Sequence, residues 1–283
     1  MQFQKTIKNA VHMNGIGLHS GKPVHLTVRP APENTGIVFR RLDLNQSLKA
    51  SPEWVIEAPM CTKLISGAVS FSTVEHIMSA LAGLEIDNLI VELNSEEMPI
   101  MDGSASPFIF LLESAGIVKQ EARRHVIRVK KTVRVEEGDK FAEISPVESG
   151  LHFMLSLDYQ DPVISKTPLE IEFSMQPISY IKNVSRARTY GFVKDLEKLH
   201  ANQLGLGASL ENAVGVTDTG IANPQGLRYP DEFARHKLLD AIGDLYLAGS
   251  IQGHFRAHKP GHALNNKLLR ALLADPEAWS LGD

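Results

Sequence analysis

The chain has 283 residues, 43% apolar and 22% charged, the composition of a folded globular protein of about two domains rather than a disordered one. Its 29 basic and 33 acidic side chains leave a net charge of −4, without the basic excess of proteins that neutralise nucleic-acid phosphates. A single cysteine, Cys61, excludes an internal disulfide and an all-cysteine zinc site.

In chain order, Gly15-Ile16-Gly17-Leu18-His19-Ser20-Gly21 is turn-rich. Val24-His25-Leu26-Thr27-Val28 alternates with period two, and Gly36-Ile37-Val38-Phe39 offers a further short strand. His76, Ile77, Ala80, Leu81 and Leu84 recur at helical spacing, which predicts a helix from about residue 73 with Gly83 as its C-terminal stop. Leu89-Ile90-Val91-Glu92-Leu93 reads as a strand, and Asp102-Gly103-Ser104 leads into a second helix over 107–115, ended by Gly116. The polar stretch 120–124 marks a boundary between a first domain, 1–122, and a second, 123–283. The second domain opens with strands at 132–135, 141–144 and 151–157. It closes with a helix over 232–242, a strand over 251–257 and a helix over 263–273. Between them lies a long excursion, 183–229, with a short helical pattern at 192–199 and the turn-rich run Leu204-Gly205-Leu206-Gly207-Ala208-Ser209. Its length marks it as functional or mobile.

His76 and His236 each begin a helix, and a glycine follows each by seven residues, Gly83 and Gly243. The parallel reads as an internal repeat: two α+β layers, each a mostly antiparallel sheet burying one face under its own helices, with a cleft between them. The N-terminus has no apolar run behind it, and no stretch approaches the ~20 residues of a membrane span. A cytoplasmic protein without stable membrane insertion is expected.

Three constellations carry chemistry. Residues four apart on a helix lie ~40° apart around the axis, so His236 and Asp240 share a face and can offer a metal an imidazole and a carboxylate. Asp244 continues that stripe, and an exposed pair on a solvated face is the competing reading. Ser72-Thr73-Val74-Glu75-His76 allows His76 on a metal with Glu75 reaching a water, or a capping box closing Glu75 back on Ser72. Two histidines and one aspartate make three protein ligands, the number a catalytic zinc keeps while leaving a position for water. Third, His254, His258 and His262 are spaced by four, but Pro260 and Gly261 break any helix through them. His262 then sits at a turn feeding the last helix, where it can point into a cleft. His12, His25, His125, His152 and His200 read as structural, and Cys61 has no base placed for it.

Five separated stretches together resemble one family. They are Ser72-Thr73-Val74-Glu75-His76, Met98-Pro99-Ile100-Met101-Asp102-Gly103-Ser104, Ser185-Arg186-Ala187-Arg188-Thr189, Arg235-His236-Lys237-Leu238-Leu239-Asp240-Ala241-Ile242-Gly243-Asp244 and Gly261-His262-Ala263-Leu264-Asn265-Asn266-Lys267. In matching order, over nearly the whole chain, they are similar to UDP-3-O-acyl-N-acetylglucosamine deacetylases, the zinc amidases that commit material to lipid A. The resemblance implies two β-α-α-β domains of the ribosomal S5 domain 2-like kind, helices sandwiched between sheets, and an active site between the domains. It implies zinc, with Fe²⁺ as the cellular alternative, on His76, His236 and Asp240, and Glu75 as general base. His262 would be the cationic partner, oriented by Asp244, and Thr189 would help hold the oxyanion. Lys237 and Lys259 would meet polar groups of the substrate. The excursion would form an apolar passage for the acyl chain through Tyr190, Val193, Leu196, Gly207, Ser209 and Leu210.

The implied reaction is hydrolysis of the 2-acetamido group of UDP-3-O-((R)-3-hydroxyacyl)-N-acetylglucosamine, by a monomer, to acetate and the free amine. The leaving nitrogen takes its proton from His262 or from Glu75. The rival readings are a small-molecule kinase using the glycine run at 204–209 and a zinc- or RNA-associated non-enzymatic domain.

Overall fold

The computed structural model describes residues 2–282, and its two principal sheets divide the sequence between them. The first is five-stranded, in the order Val11–Ile16, Pro23–Pro30, Leu89–Leu93, Ile37–Arg41, Gln46–Lys49. Alternation buries Val24, Leu26 and Val28 of one strand on its inner face. The second has seven strands drawn from Val126–Val129 to Trp279–Gly282, with Ser250–His258 at its centre.

Among the described residues six α-helices accompany them: α1 (Glu75–Leu84), α2 (Ser106–Ser114), α3 (Pro177–Asn183), α4 (Leu196–Ala201), α5 (Glu232–Leu245) and α6 (His262–Ala274). In each sheet the strand after a long helix enters the middle and runs parallel to an earlier strand. Leu89–Leu93 follows α1 and pairs parallel with Ile37–Arg41, while Ser250–His258 follows α5 and pairs parallel with Leu151–Ser156. A helical crossover is what parallel pairing requires. One apolar core joins both sheets, with α1 and α5 packed against each other inside it. This is the α+β sandwich that the repeat implied.

One glycine is not what its spacing predicted. α1 does not stop at Gly83 but at Glu85, which takes the left-handed turn at φ 58°. A Cβ on Gly83 would overlap the ring of Tyr180 in α3, a helix that the sequence reading left unassigned. Gly243 likewise lies inside α5, where a Cβ would overlap the backbone carbonyl oxygen of Glu75. That glycine lets α1 and α5 meet backbone to backbone, so the first turn of α1 is held against the last turn of α5.

Candidate metal centre and active site

The crossing of α1 and α5 gathers three ligand groups. Along α5, His236 Nε2 and Asp240 Oδ1 lie 3.4 Å apart, one turn separating them. From the start of α1, His76 Nε2 lies 3.6 Å from the same carboxylate oxygen. The ligand atoms of the three residues lie within 4.8 Å of one another, and all three side chains are buried. His236 Nδ1–H donates to the Ala187 carbonyl at 3.1 Å, so its Nε2 faces the cluster as a bare lone pair. Asp240 Oδ1 is buried without a hydrogen-bond donor, a costly state for a carboxylate unless a cation lies among the three groups. The donor set suits a divalent transition metal and leaves room for a further ligand.

Electrostatics prepare these groups as ligands. Burial drives His236 down to about 3 and keeps it neutral. Burial would lift Asp240, but positive charge beside it, notably the Lys237 ammonium 2.9 Å from Oδ2, outweighs burial and holds the carboxylate well below its usual range.

An acid–base pair flanks the cluster. Glu75 opens α1, and no capping box forms there, since the helix starts without a side-chain cap. Its Oε2 instead accepts from the Thr62 N–H at 3.0 Å. Burial pushes the Glu75 carboxyl upward, against the pull of His262 and His76. His262 Nε2 lies 3.9 Å from Glu75 Oε1, and its Nδ1–H donates to Asp244 Oδ2 at 2.9 Å. Burial opposes a charge on His262, yet Asp244 and then Glu75 outweigh it and lift the imidazole to about 9. Asp244 is itself fixed by the Thr62 hydroxyl (2.5 Å) and the Asn265 amide (2.9 Å). Neither Thr62 nor Asn265 was singled out from the sequence. Both groups hold protons more tightly than usual, which suits Glu75 to take a proton as general base and His262 to carry one as general acid.

Two cavities share a wall at this point. One, about 250 Å³, is lined by the three candidate ligands together with Glu75, Lys237 and His262. The other, about 280 Å³, is largely apolar and lined by Val193, Leu196, Leu199, Leu210 and Val214, with Ser209 among them. Thr189, Tyr190, Gly191 and Phe192 belong to both. The short strands Tyr190–Phe192 and Val214–Val216 pair in parallel and fold the excursion back to make this wall.

A family model described as UDP-3-O-acyl N-acetylglycosamine deacetylase matches residues 4–274. The chain belongs to this family. Three relatives carry the name UDP-3-O-acyl-N-acetylglucosamine deacetylase. That of Tolumonas auensis is 52% identical over 282 residues, covering 98% of this chain and 92% of the relative. That of Stenotrophomonas maltophilia is 54% identical over 281 residues, with 98% and 92% covered. That of Shewanella violacea is 50% identical over 285 residues, with 99% and 93% covered.

Two residues expected at the substrate of a UDP-3-O-acyl N-acetylglycosamine deacetylase line neither of these cavities. Gly207 lines neither cavity. A Cβ there would overlap the Gly17 carbonyl oxygen, and its N–H donates to the Leu18 carbonyl at 3.0 Å, so it clamps the 15–21 loop behind the wall. Lys259 also lies off both cavities, paired with Asp139 and, at 2.8 Å, with Asp158.

Most amides of the glycine run are turned to partners within the protein rather than toward a phosphate. The amides of Leu206, Gly207 and Ala208 donate to the carbonyls of His19, Leu18 and Gly205, and that of Ser209 to Asn212 Oδ1. With these donors engaged, the kinase reading has no support. Burial, and then Glu75, push the buried Cys61 thiol up to about 12, far from a nucleophile's range. Among the described residues no helix is long and apolar enough to cross a membrane.

Proposed function

We propose that this chain hydrolyses the 2-acetamido group of UDP-3-O-((R)-3-hydroxyacyl)-N-acetylglucosamine to acetate and the free amine, the committed step of lipid A synthesis. The observation that carries this reading is the buried cluster of His76, His236 and Asp240, with its unpartnered carboxylate oxygen, in a cavity that shares a wall with an apolar one. The names of the relatives, UDP-3-O-acyl-N-acetylglucosamine deacetylase, support a substrate of this class. We read the chain as a cytoplasmic monomer of two units, 1–122 and 123–283, working across the crossing of α1 and α5.

His76, His236 and Asp240 would hold zinc, with iron(II) the cellular alternative. A bound ion of this kind supplies Lewis acidity, acidifying water and polarising an amide carbonyl. Glu75 takes the proton of the attacking water, a task for which its raised proton affinity fits it. The Thr189 hydroxyl, on the cavity wall, donates to the oxygen that becomes negative. His262, kept protonated at neutral pH by Asp244, gives its proton to the leaving nitrogen. Lys237 presents its charge to polar groups of the substrate from the same wall. Acetate release from the acylated UDP-sugar should stop when the protein is stripped with a chelator and return with added zinc. Release that survives stripping contradicts the proposal.

The pH profile follows from these charge states. Glu75 acts deprotonated and His262 protonated, so kcat/KM rises as Glu75 loses its proton and falls as His262 loses its own, giving a bell. Asp244 raises His262, so Asp244→Asn should move the alkaline limb down from near 9 toward the ordinary imidazole range and narrow the bell. An alkaline limb that stays in place assigns it to another group.

The apolar cavity is read as the acyl passage, lined by Tyr190, Val193, Leu196, Ser209 and Leu210. Each CH₂ that it buries is worth about 0.8 kcal/mol. Gly191 lies where the two cavities meet, and a Cβ there meets no atom within 4 Å. Gly191→Leu should therefore block the junction without disturbing the fold, raising KM for the acylated substrate several-fold. UDP-N-acetylglucosamine, which has no acyl chain, should be processed equally poorly by parent and variant. An unchanged KM for the acylated substrate rules the passage out.

A further inference from the structure

The loop Met98-Pro99-Ile100-Met101-Asp102-Gly103-Ser104 stands out in the sequence yet touches neither cavity through Asp102 or Gly103. Two of its contacts, one through Gly103 and one through Asp102, lead to the segment 186–189. The Thr189 N–H donates to the Gly103 carbonyl at 2.8 Å, while the Thr189 carbonyl accepts from Val214 N–H at 2.8 Å. Gly103 takes φ 84°, and a Cβ on it would overlap the Asn212 carbonyl oxygen, so the turn is pressed directly against the excursion.

Asp102 closes this turn with one oxygen and reaches across with the other. Oδ1 accepts from Ser104 N–H (3.0 Å) and the Ser104 hydroxyl (2.7 Å), and Oδ2 accepts from Arg228 Nη1 at 2.8 Å. The same Arg228 nitrogen donates to the Arg186 carbonyl at 3.0 Å, and the Arg228 backbone N–H donates to Glu232 Oε2 at 2.5 Å. Glu232 in turn accepts from the Arg188 backbone and guanidinium, and Ala187 accepts from the candidate ligand His236. Each of residues 186, 187, 188 and 189 is thus tied through its own backbone.

We infer that Asp102 and Arg228 are positioning residues for Thr189, holding its hydroxyl in register with the His236 side of the cluster. This rests on the deacetylase reading given above. Their pair is partly exposed, Asp102 at 30% and Arg228 at 24%, and pairs of that kind add little to stability, whereas Arg188 and Glu232 are buried at 1% and 0% and carry the local fold. Removing the exposed pair therefore leaves the chain folded and frees the turn that aims Thr189. A displacement of about 1 Å at such a group can cost as much as about 10²-fold in rate.

The test is a double-mutant cycle on the zinc-loaded enzyme with the acylated UDP-sugar. Asp102→Asn and Arg228→Gln should each lower kcat about tenfold, within that bound, leaving KM and zinc content at parent values. In a Thr189→Ala background neither should lower kcat further, because the positioned group is gone. Hydrogen exchange at the Thr189 amide is read in parallel and should quicken in both single variants. Equal losses in both backgrounds, or an unchanged Thr189 amide, overturn the inference. A parent that releases no acetate counts against the deacetylase reading instead, and the amide exchange still decides the positioning.

Discussion

Glu75→Ala is expected to lower kcat by about 10²–10⁴-fold while metal content stays at the parent level. Glu75 adjoins His76 in sequence, but neighbours on a helix project ~100° apart, so the two side chains divide the work. His76 turns its Nε2 to Asp240, while Glu75 lies 3.9 Å from His262 and is steadied by the Thr62 amide. No ligand is lost with the carboxylate, so only the proton acceptor goes. Glu75→Gln keeps the shape and the Thr62 contact and should be nearly as inactive. A metal-loaded Glu75→Ala variant with kcat near the parent makes this residue a part of the fold alone.

Gly243→Val should abolish metal binding and activity together. The added side chain would meet the Glu75 backbone, which cannot yield as a side-chain tip can. Overpacking of a tight site typically costs ~1–3 kcal/mol, and relief requires the first turn of α1 to move off α5. That movement carries His76 and Glu75 away from Asp240 at once. Gly83→Ala provides the contrast, because its Cβ meets the ring of Tyr180 and no part of the cluster. It should lower Tm with metal content unchanged. Metal content retained in Gly243→Val contradicts the role given to the helix crossing.

How far the sequence revealed the site depends on how local each signal is. His236 and Asp240 were legible because one helical turn places them on a common face, and the pairing needs no knowledge of the rest of the fold. His76 was legible through its equivalent place in the repeat, and the structure sets it 3.6 Å from Asp240. Thr62 was not legible. It precedes the short strand Lys63–Ser66, has no motif of its own, and meets Asp244 across 182 positions of sequence.

Glycines misled for a related reason. One that ends a helix and one that admits a neighbouring backbone look alike in a single sequence. Gly116 does follow α2 in a left-handed turn at φ 76°, whereas Gly83 and Gly243 are interior. Gly207 entered the passage through the resemblance alone, and only the fold brings the Gly17 carbonyl up behind it. Strands such as Pro23–Pro30 and Leu89–Leu93 were found at their centres, while Phe3–Ile7 and Glu170–Ser174 had no reading, and α3 was missed because a helical stretch of seven residues gives too short a pattern.

The central claim is that His76, His236 and Asp240 form a metal centre, and metal analysis of the purified protein beside a His236→Ala, Asp240→Ala double variant tests it most directly. The parent should hold about one tightly bound divalent ion per chain, with three protein ligands and an open position, and the double variant none. A double variant that retains full metal occupancy contradicts the assignment.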